Sequence, residues 1–232
     1  MQLSVRDAAR FLGVSEKTIY RWIKDGVLPA YRVNEQYRFN QTELLEWATE
    51  RKMTVSAEVL GEPNGGGRMP TLVKALEAGG VFHNVGGAGK ESVLQAVVDH
   101  MPLPKNVDRA FLLQVLLARE SMGSTGIGDG VAIPHVRNPI VLHVTEPIIT
   151  LCFLEHPIDF GAIDGKAVDK LFTIISPTIR THLHLLSRLA FALRDPIFKD
   201  VITRHGPRDE ILAAVRRVED ALVAPAAAGD AV

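Results

Sequence analysis

The stretch Met122–Pro139, "MGSTGIGDGVAIPHVRNP", gathers glycines at 123, 126, 128 and 130 ahead of a lone histidine, His135. These glycines fit neither common nucleotide loop. A Walker loop needs Gly-Lys followed by Ser or Thr, but Gly130 precedes Val131, and Gly89-Lys90 is followed by Glu91, with Asn84 where the first glycine belongs. The dinucleotide fingerprint fails because Gly126 and Gly128 lead to Val131 at the sixth position. What remains is a pliable backbone able to turn N–H groups toward an anion, and a histidine delivered after the short strand "GVAI", which Pro134 stops. A neutral imidazole, with a reference pKa of about 6.5, has a nucleophilic nitrogen near neutral pH and can accept a phosphoryl group. The product carries close to two negative charges. Amides of Gly126, Gly128 and Gly130, hydroxyls of Ser124 and Thr125, and the guanidinium of Arg119 or Arg137 are the groups available to offset them.

Around this stretch the periodicity alternates. "VFHNV", "PIITLCFLE" and "AVDKLFTIIS" read as strands; "KESVLQAVVDHM", "DRAFLLQVLLARE", "RTHLHLLSRLAFALRD", "PIFKDVITRH" and "RDEILAAVRRVE" read as helices. The pattern predicts an α/β architecture, a mixed sheet flanked by helices on both faces. The segment "GEPNGGG", 61–67, has linker composition and divides the 232 residues. The predicted organisation is a small domain over 1–53, a flexible linker over 54–69, a larger domain over 70–220 and a frayed tail over 221–232. The first 53 residues carry nine Lys/Arg against seven Asp/Glu, so +2, and the remainder is −3. No apolar run reaches the roughly 18 residues of a membrane span and no signal peptide is evident, so a cytoplasmic protein without membrane insertion is expected. Cys152 is the single cysteine and sits in an apolar run, which excludes an internal disulfide and a thiolate metal site.

In the small domain, "LSVRDAARFLGVSEKTIYRWIKDGVLP" predicts two short helices joined at Gly13, capped by Ser4 and Ser15. Ile19, Trp22 and Ile23 share an inward face, whereas Lys17, Arg21 and Lys24 lie on another side with Thr18 and Tyr20 accessible. This fits a helix-turn-helix whose second helix enters a major groove, with cations on phosphates and Arg21 reaching a base edge. "AYRVNEQYRF" then predicts a hairpin turning at Asn34-Glu35 that carries Arg32 and Arg38 as a wing. Asn40 caps a third helix, "QTELLEWATERK", whose Leu44, Leu45 and Trp47 close the core. Residues 3–52 resemble the excisionase and MerR-like winged helix-turn-helix family. A reader of about 50 residues contacts few base pairs, so a homodimer or another partner is expected to add affinity on double-stranded DNA.

Arg119–Arg137, "RESMGSTGIGDGVAIPHVR", closely resembles the enzyme IIA domain of the fructose–mannitol type of the bacterial phosphoenolpyruvate-dependent phosphotransferase system, including its nitrogen-regulatory branch. The resemblance extends over most of 70–220, through "PIDFGAIDGKAVDKLFTIISP" and "THLHLLSRLAFALRD". It implies a mannitol-type enzyme IIA fold, His135 as the phosphorylated histidine, Arg119 beside it, an HPr-type phosphocarrier as donor and an enzyme IIB domain as recipient. Val136 departs from the glycine that usually follows the histidine in this family. The family's second histidine falls on the helix containing His182 and His184, which are about 200° apart at 3.6 residues per turn. His182 shares a side with Leu185, Leu186 and Leu189 and matches the family position, so it is expected to orient His135 or contact its phosphoryl group, and His184 to lie outside.

His83, His100, His143, His156 and His205 are scattered without metal-ligand spacing, so neither a metal site nor another cofactor is expected. Glu120, which follows Arg119, is read as an ion-pair partner or a solvated side chain, and Asp159, Asp164 and Asp169 as turn caps. Three functions compete on these residues. The first is a regulator coupling phosphorylation of His135 to DNA binding. The second is a transport phosphocarrier with a phosphohistidine intermediate, passing phosphate from HPr to an enzyme IIB. The third is a DNA-binding protein with an inactive IIA domain.

Overall fold

The computed structural model describes residues 2–33, 35–51, 53, 55, 69–136 and 144–223. The predicted linker therefore lies almost wholly outside the described residues, as do Asn34, Arg137, His143 and the tail beyond 223.

The small unit forms as its caps dictate. Ser4 closes a capping box with Asp7 ahead of helix α1 (Val5–Phe11), and the Ser15 hydroxyl accepts from the Thr18 amide at the start of α2 (Glu16–Lys24). Strand β1 (Gln2–Leu3), not anticipated from the sequence, pairs antiparallel with β3 (Gln36–Asn40), whose other edge pairs with β2 (Tyr31–Val33). The wing hairpin is therefore present, with Glu35 in the left-handed region at φ 62°. The Asn40 side chain accepts from the amides of Thr42 and Glu43 and starts α3 (Gln41–Glu50). Phe11, Ile19, Phe39, Leu44 and Leu45 are fully buried together.

The larger unit is a five-stranded mixed sheet. Its elements run α4 (Leu72–Gly79), β4 (Val81–Val85), α5 (Lys90–His100), α6 (Arg109–Ser121), β5 (Gly126–Gly128), β6 (Val131–Ala132), β7 (Ile148–Ile158), β8 (Val168–Ile175), α7 (Ile179–Ala192), α8 (Pro196–Thr203) and α9 (Arg208–Val223). The strand order is β4-β7-β8-β6-β5, with β4/β7 and β8/β6 parallel and the other neighbours antiparallel. The pleat sorts side chains into two cores. Ile149, Leu151 and Phe153 of β7 join Phe172 and Ile174 of β8 on the face toward α4, α7, α8 and α9. Ile148, Cys152 and Leu154 join Leu171 and Ile175 on the face toward α5 and α6. Cys152 is wholly enclosed and burial pushes its thiol up to about 12, in keeping with a core role.

The same parity continues through β6 and past Pro134. Val131 and Ile133 belong to the first core and Ala132 and Val136 to the second. The β6–β8 register, Val131 opposite Lys170, resumes as a parallel bridge between His135 and Ile174, with the Ile174 amide donating to the Pro134 carbonyl. His135 is thereby placed on the first face. Helix α3 packs on that same face, against α7 and β5, and its buried residues run without a break into the core of the larger unit. Among the described residues the two predicted domains are thus joined through a shared apolar core rather than separated.

Candidate phosphorylation site

His135 is 3% exposed. Its Nδ1 lies 2.7 Å from the Ile133 carbonyl oxygen. A carbonyl only accepts, so Nδ1 carries a proton and Nε2 is the ring nitrogen left for chemistry. Nε2 does not face open space. It lies 2.9 Å from Glu46 Oε1, on α3 of the small unit. The other oxygen of the same carboxylate, Oε2, accepts from Arg119 Nη2 at 3.0 Å. Arg119, in the last turn of α6, is also fixed by donation from Nη1 to the Gly123 carbonyl at 2.8 Å. All three side chains are about 95% shielded from solvent.

His182, in the first turn of α7, completes the cluster. It is fully buried, with its ring centroid 5.1 Å from that of His135. Neither ring nitrogen has a partner among the described residues. Burial first, and then the neighbouring His135, push its pKa down to about 3, so the ring is neutral. His184 is half-buried on another side of α7 and is also shifted down, chiefly by desolvation.

The remaining expected groups divide. Thr125 lines the narrow crevice beside Glu46, Arg119, Ile133 and His135. Its amide and hydroxyl both donate to Glu120 Oε2, at 3.0 and 2.7 Å, and Lys90 Nζ lies 3.1 Å from Glu120 Oε1. Glu120 is thus an ion-pair partner, of Lys90, and through Thr125 it anchors the loop into the site. The Ser124 hydroxyl donates to the Phe160 carbonyl at 2.5 Å and accepts from the Gly126 amide.

Gly126, Gly128 and Gly130 build the β5–β6 hairpin. A Cβ on Gly126 would lie 2.8 Å from Ala162 Cα, so glycine is needed there for close packing. Gly130, at φ 73°, passes so near Asp169 and Lys170 that a side chain would meet both, and its carbonyl accepts from both their amides. Gly128 packs against Asp164. The glycine-rich stretch thus serves the hairpin's approach to the 159–170 segment. Asp159 and Asp164 accept from turn amides as expected, whereas Asp169 pairs with Lys170 and with His205 Nε2 at 2.9 Å. Arg137 lies outside the described residues. Val136 turns into the second core, 1% exposed, away from the face His135 presents. No group of three or more potential metal ligands occurs among the described residues.

On the small unit, Lys17, Tyr20, Arg21, Lys24 and Arg32 are exposed. Thr18 is half-buried against the Ser15 cap, and Arg38 is half-buried, donating to Gln36 Oε1 and the Tyr37 carbonyl. Trp22 and Trp47 pack at 5.2 Å, and Trp47 Nε1 donates to the Val27 carbonyl, so α2 is held from behind by α3 with its cationic side free.

Sequence reasoning missed Glu46. Its neighbours Leu44, Leu45, Trp47 and Ala48 are all buried, and a helix buried on this many sides exceeds what a three-helix reader needs to close its own core. In the sequence this shows as apolar residues, Leu44, Leu45, Trp47 and Ala48, spread around one short helix.

Residues 74–218 match the family model for the phosphoenolpyruvate-dependent sugar phosphotransferase system, EIIA 2, and residues 3–52 match a helix-turn-helix domain model. The chain is 36% identical over 148 residues to a nitrogen regulatory protein of Pseudomonas aeruginosa, covering 62% of this chain and 93% of that one. It is 38% identical over 107 residues to the nitrogen regulatory protein of Escherichia coli (strain K12), covering 45% of this chain and 62% of the relative. Among solved structures, nitrogen regulatory protein IIA-Ntr from Neisseria meningitidis superposes with a TM-score of 0.52 at 26% identity, covering 58% of this chain and 92% of that one.

Proposed function

The chain belongs to the EIIA 2 family of the phosphoenolpyruvate-dependent sugar phosphotransferase system, and from that premise we propose that it is a cytoplasmic, nitrogen-regulatory-type phosphoacceptor that couples the phosphorylation state of His135 to DNA binding by its helix-turn-helix unit. The observation that carries this reading is the polarity of His135. The Ile133 carbonyl holds the Nδ1 proton and so presents Nε2 as nucleophile, between a buried guanidinium and a buried neutral imidazole. In the transfer, the Nε2 lone pair forms a bond to the phosphorus of an HPr-type phosphohistidine. The carrier's N–P bond breaks with its electron pair returning to the carrier's ring, and the Nδ1 proton stays on the His135 ring, donated to the Ile133 carbonyl. Arg119 offsets the incoming charge, and a His182 N–H supplies a hydrogen bond to a phosphoryl oxygen. An enzyme IIB domain is the expected alternative recipient. Lys17, Arg21, Lys24 and Arg32 supply phosphate contacts on double-stranded DNA, with Tyr20 and Arg21 nearest a base edge.

The test is transfer of labelled phosphate from phosphoenolpyruvate through enzyme I and HPr. Label is expected on the wild type and absent from His135→Ala. In His182→Ala the label is expected to be taken up but lost faster by hydrolysis. Label persisting on His135→Ala refutes the assignment.

A further inference from the structure

We infer that Glu46 is an internal occupant of the phosphoryl site, so that docking of the DNA-reading unit on the IIA unit and phosphorylation of His135 exclude one another. The inference deepens the reading above and rests on it.

Three observations converge. Glu46 places one carboxylate oxygen on His135 Nε2 and the other on Arg119, the nucleophile and the cation that a phosphoryl group would use. The Nε2···Oε1 contact needs one proton between the two atoms, and whichever partner carries it, Nε2 has no lone pair free to attack. A covalent N–P bond is also far shorter than this hydrogen bond, so phosphoryl oxygens would fall where the carboxylate now lies, anion on anion in a site shielded from water.

Burial makes the same point independently. His135 is 3% exposed with α3 in place, and a carrier's imidazole cannot approach in line with Nε2 while Glu46 and its helix stand there. An open groove of about 430 Å³, bounded by the turn at Gly26–Pro29 on one side and Met122–Gly123 on the other, reaches Glu46 and Arg119 but stops short of His135.

The third observation is what Glu46 leaves undone. A carboxylate brings two oxygens and a phosphoryl group three. Both of Glu46's are engaged by His135 and Arg119, while His182, fully buried beside them, keeps two nitrogens without a partner among the described residues. A buried imidazole left in this condition is costly, and the third phosphoryl oxygen relieves it. The site is thus incompletely satisfied by its resident side chain and better matched to the group that displaces it.

Docking leaves the cationic side of α2 exposed, so release does not uncover the DNA-reading residues. It changes how the reader is mounted. Phosphorylation converts a reader fixed on the IIA unit into a tethered one.

The experiment uses the full chain. Dyes on Arg10→Cys and Glu91→Cys, both exposed positions, report the distance between the units, with the buried Cys152 left unlabelled. Labelled phosphate from HPr reports acceptance. Glu46→Ala is expected to accept phosphate at least tenfold faster than wild type and to show low transfer efficiency between dyes even without a phosphodonor. Glu43→Ala, on the same helix, is expected to match wild type in both. Phosphorylation of the wild type is expected to lower its transfer efficiency, and His135→Ala to ignore the donor. Equal acceptance rates in wild type and Glu46→Ala, with transfer efficiency unchanged by phosphate, would overturn the exclusion and leave the phosphoacceptor reading standing. Label on neither chain would sink that reading, and the exclusion with it.

Discussion

At the scale of single residues, His182 is an imidazole wholly removed from water. Its depressed pKa makes a prediction about stability. On unfolding, the ring returns to the ordinary histidine value of about 6.5 and takes up a proton that the folded state, at about 3, refuses. Between those two values the unfolded chain binds more protons, so stability present above pH 6.5 falls as the pH is lowered toward 3. The contribution is about 1.4 kcal/mol per unit. Urea denaturation at a series of pH values should show this slope in the wild type and a shallower one in His182→Phe. An identical slope in both would mean that the ring is hydrated. That His135, Arg119 and His182 lie together was legible in the sequence, because the resemblance puts all three at one place. Glu46 was not, because a carboxylate eighty-nine positions from its histidine leaves no local pattern.

At the scale of elements, α2 and α3 divide the work of the reader. The outward side of α2 carries Lys17, Arg21 and Lys24 with little burial, whereas α3 is enclosed by its own unit on one side and by α7 and β5 on the other. Arg21→Ala should therefore change stability by less than about 0.5 kcal/mol while weakening specific DNA binding and reducing its salt dependence. Leu45→Ala should cost about 2–5 kcal/mol, because its fully buried side chain leaves a cavity. Calorimetry and fluorescence-anisotropy titration on the same two variants check the pair of outcomes. The caps of α1, α2 and α3 and the long strands β7 and β8 could be read from sequence, since a hydroxyl or amide ahead of a periodic run, or a long apolar run, states its own structure. Strands β1 and β5 could not. At two and three residues they exist only because a neighbour's edge is there to pair with. The glycines ahead of His135 also form the hairpin that carries β5 and packs on Ala162, Asp164 and Asp169, a need that closeness in sequence to a histidine does not announce.

At the scale of the whole molecule, the parity of the sheet decides which surface the reader sees. Residues 131, 133 and 135 face α7, and Val136 faces the opposite core, so a shift of one position would have turned the histidine toward α5 and α6, out of reach of α3. With His135 on this face, the helix bearing Glu46 and the phosphocarrier compete for one patch of sheet and helix. The competitor supplied by the chain itself is attached by the residues between α3 and α4. Its strength is therefore the affinity of the docked contact multiplied by an effective concentration that the joining residues set, and it is independent of any metabolite level. Inserting Gly-Ser repeats between Val55 and Met69 should dilute Glu46 at its site and let less carrier phosphorylate His135, an effect read as a falling half-maximal HPr concentration as the insert grows. The threshold of the response would then be written in the number of residues joining two folded units, a quantity that evolution can adjust without touching either the DNA-reading surface or the chemistry of the histidine.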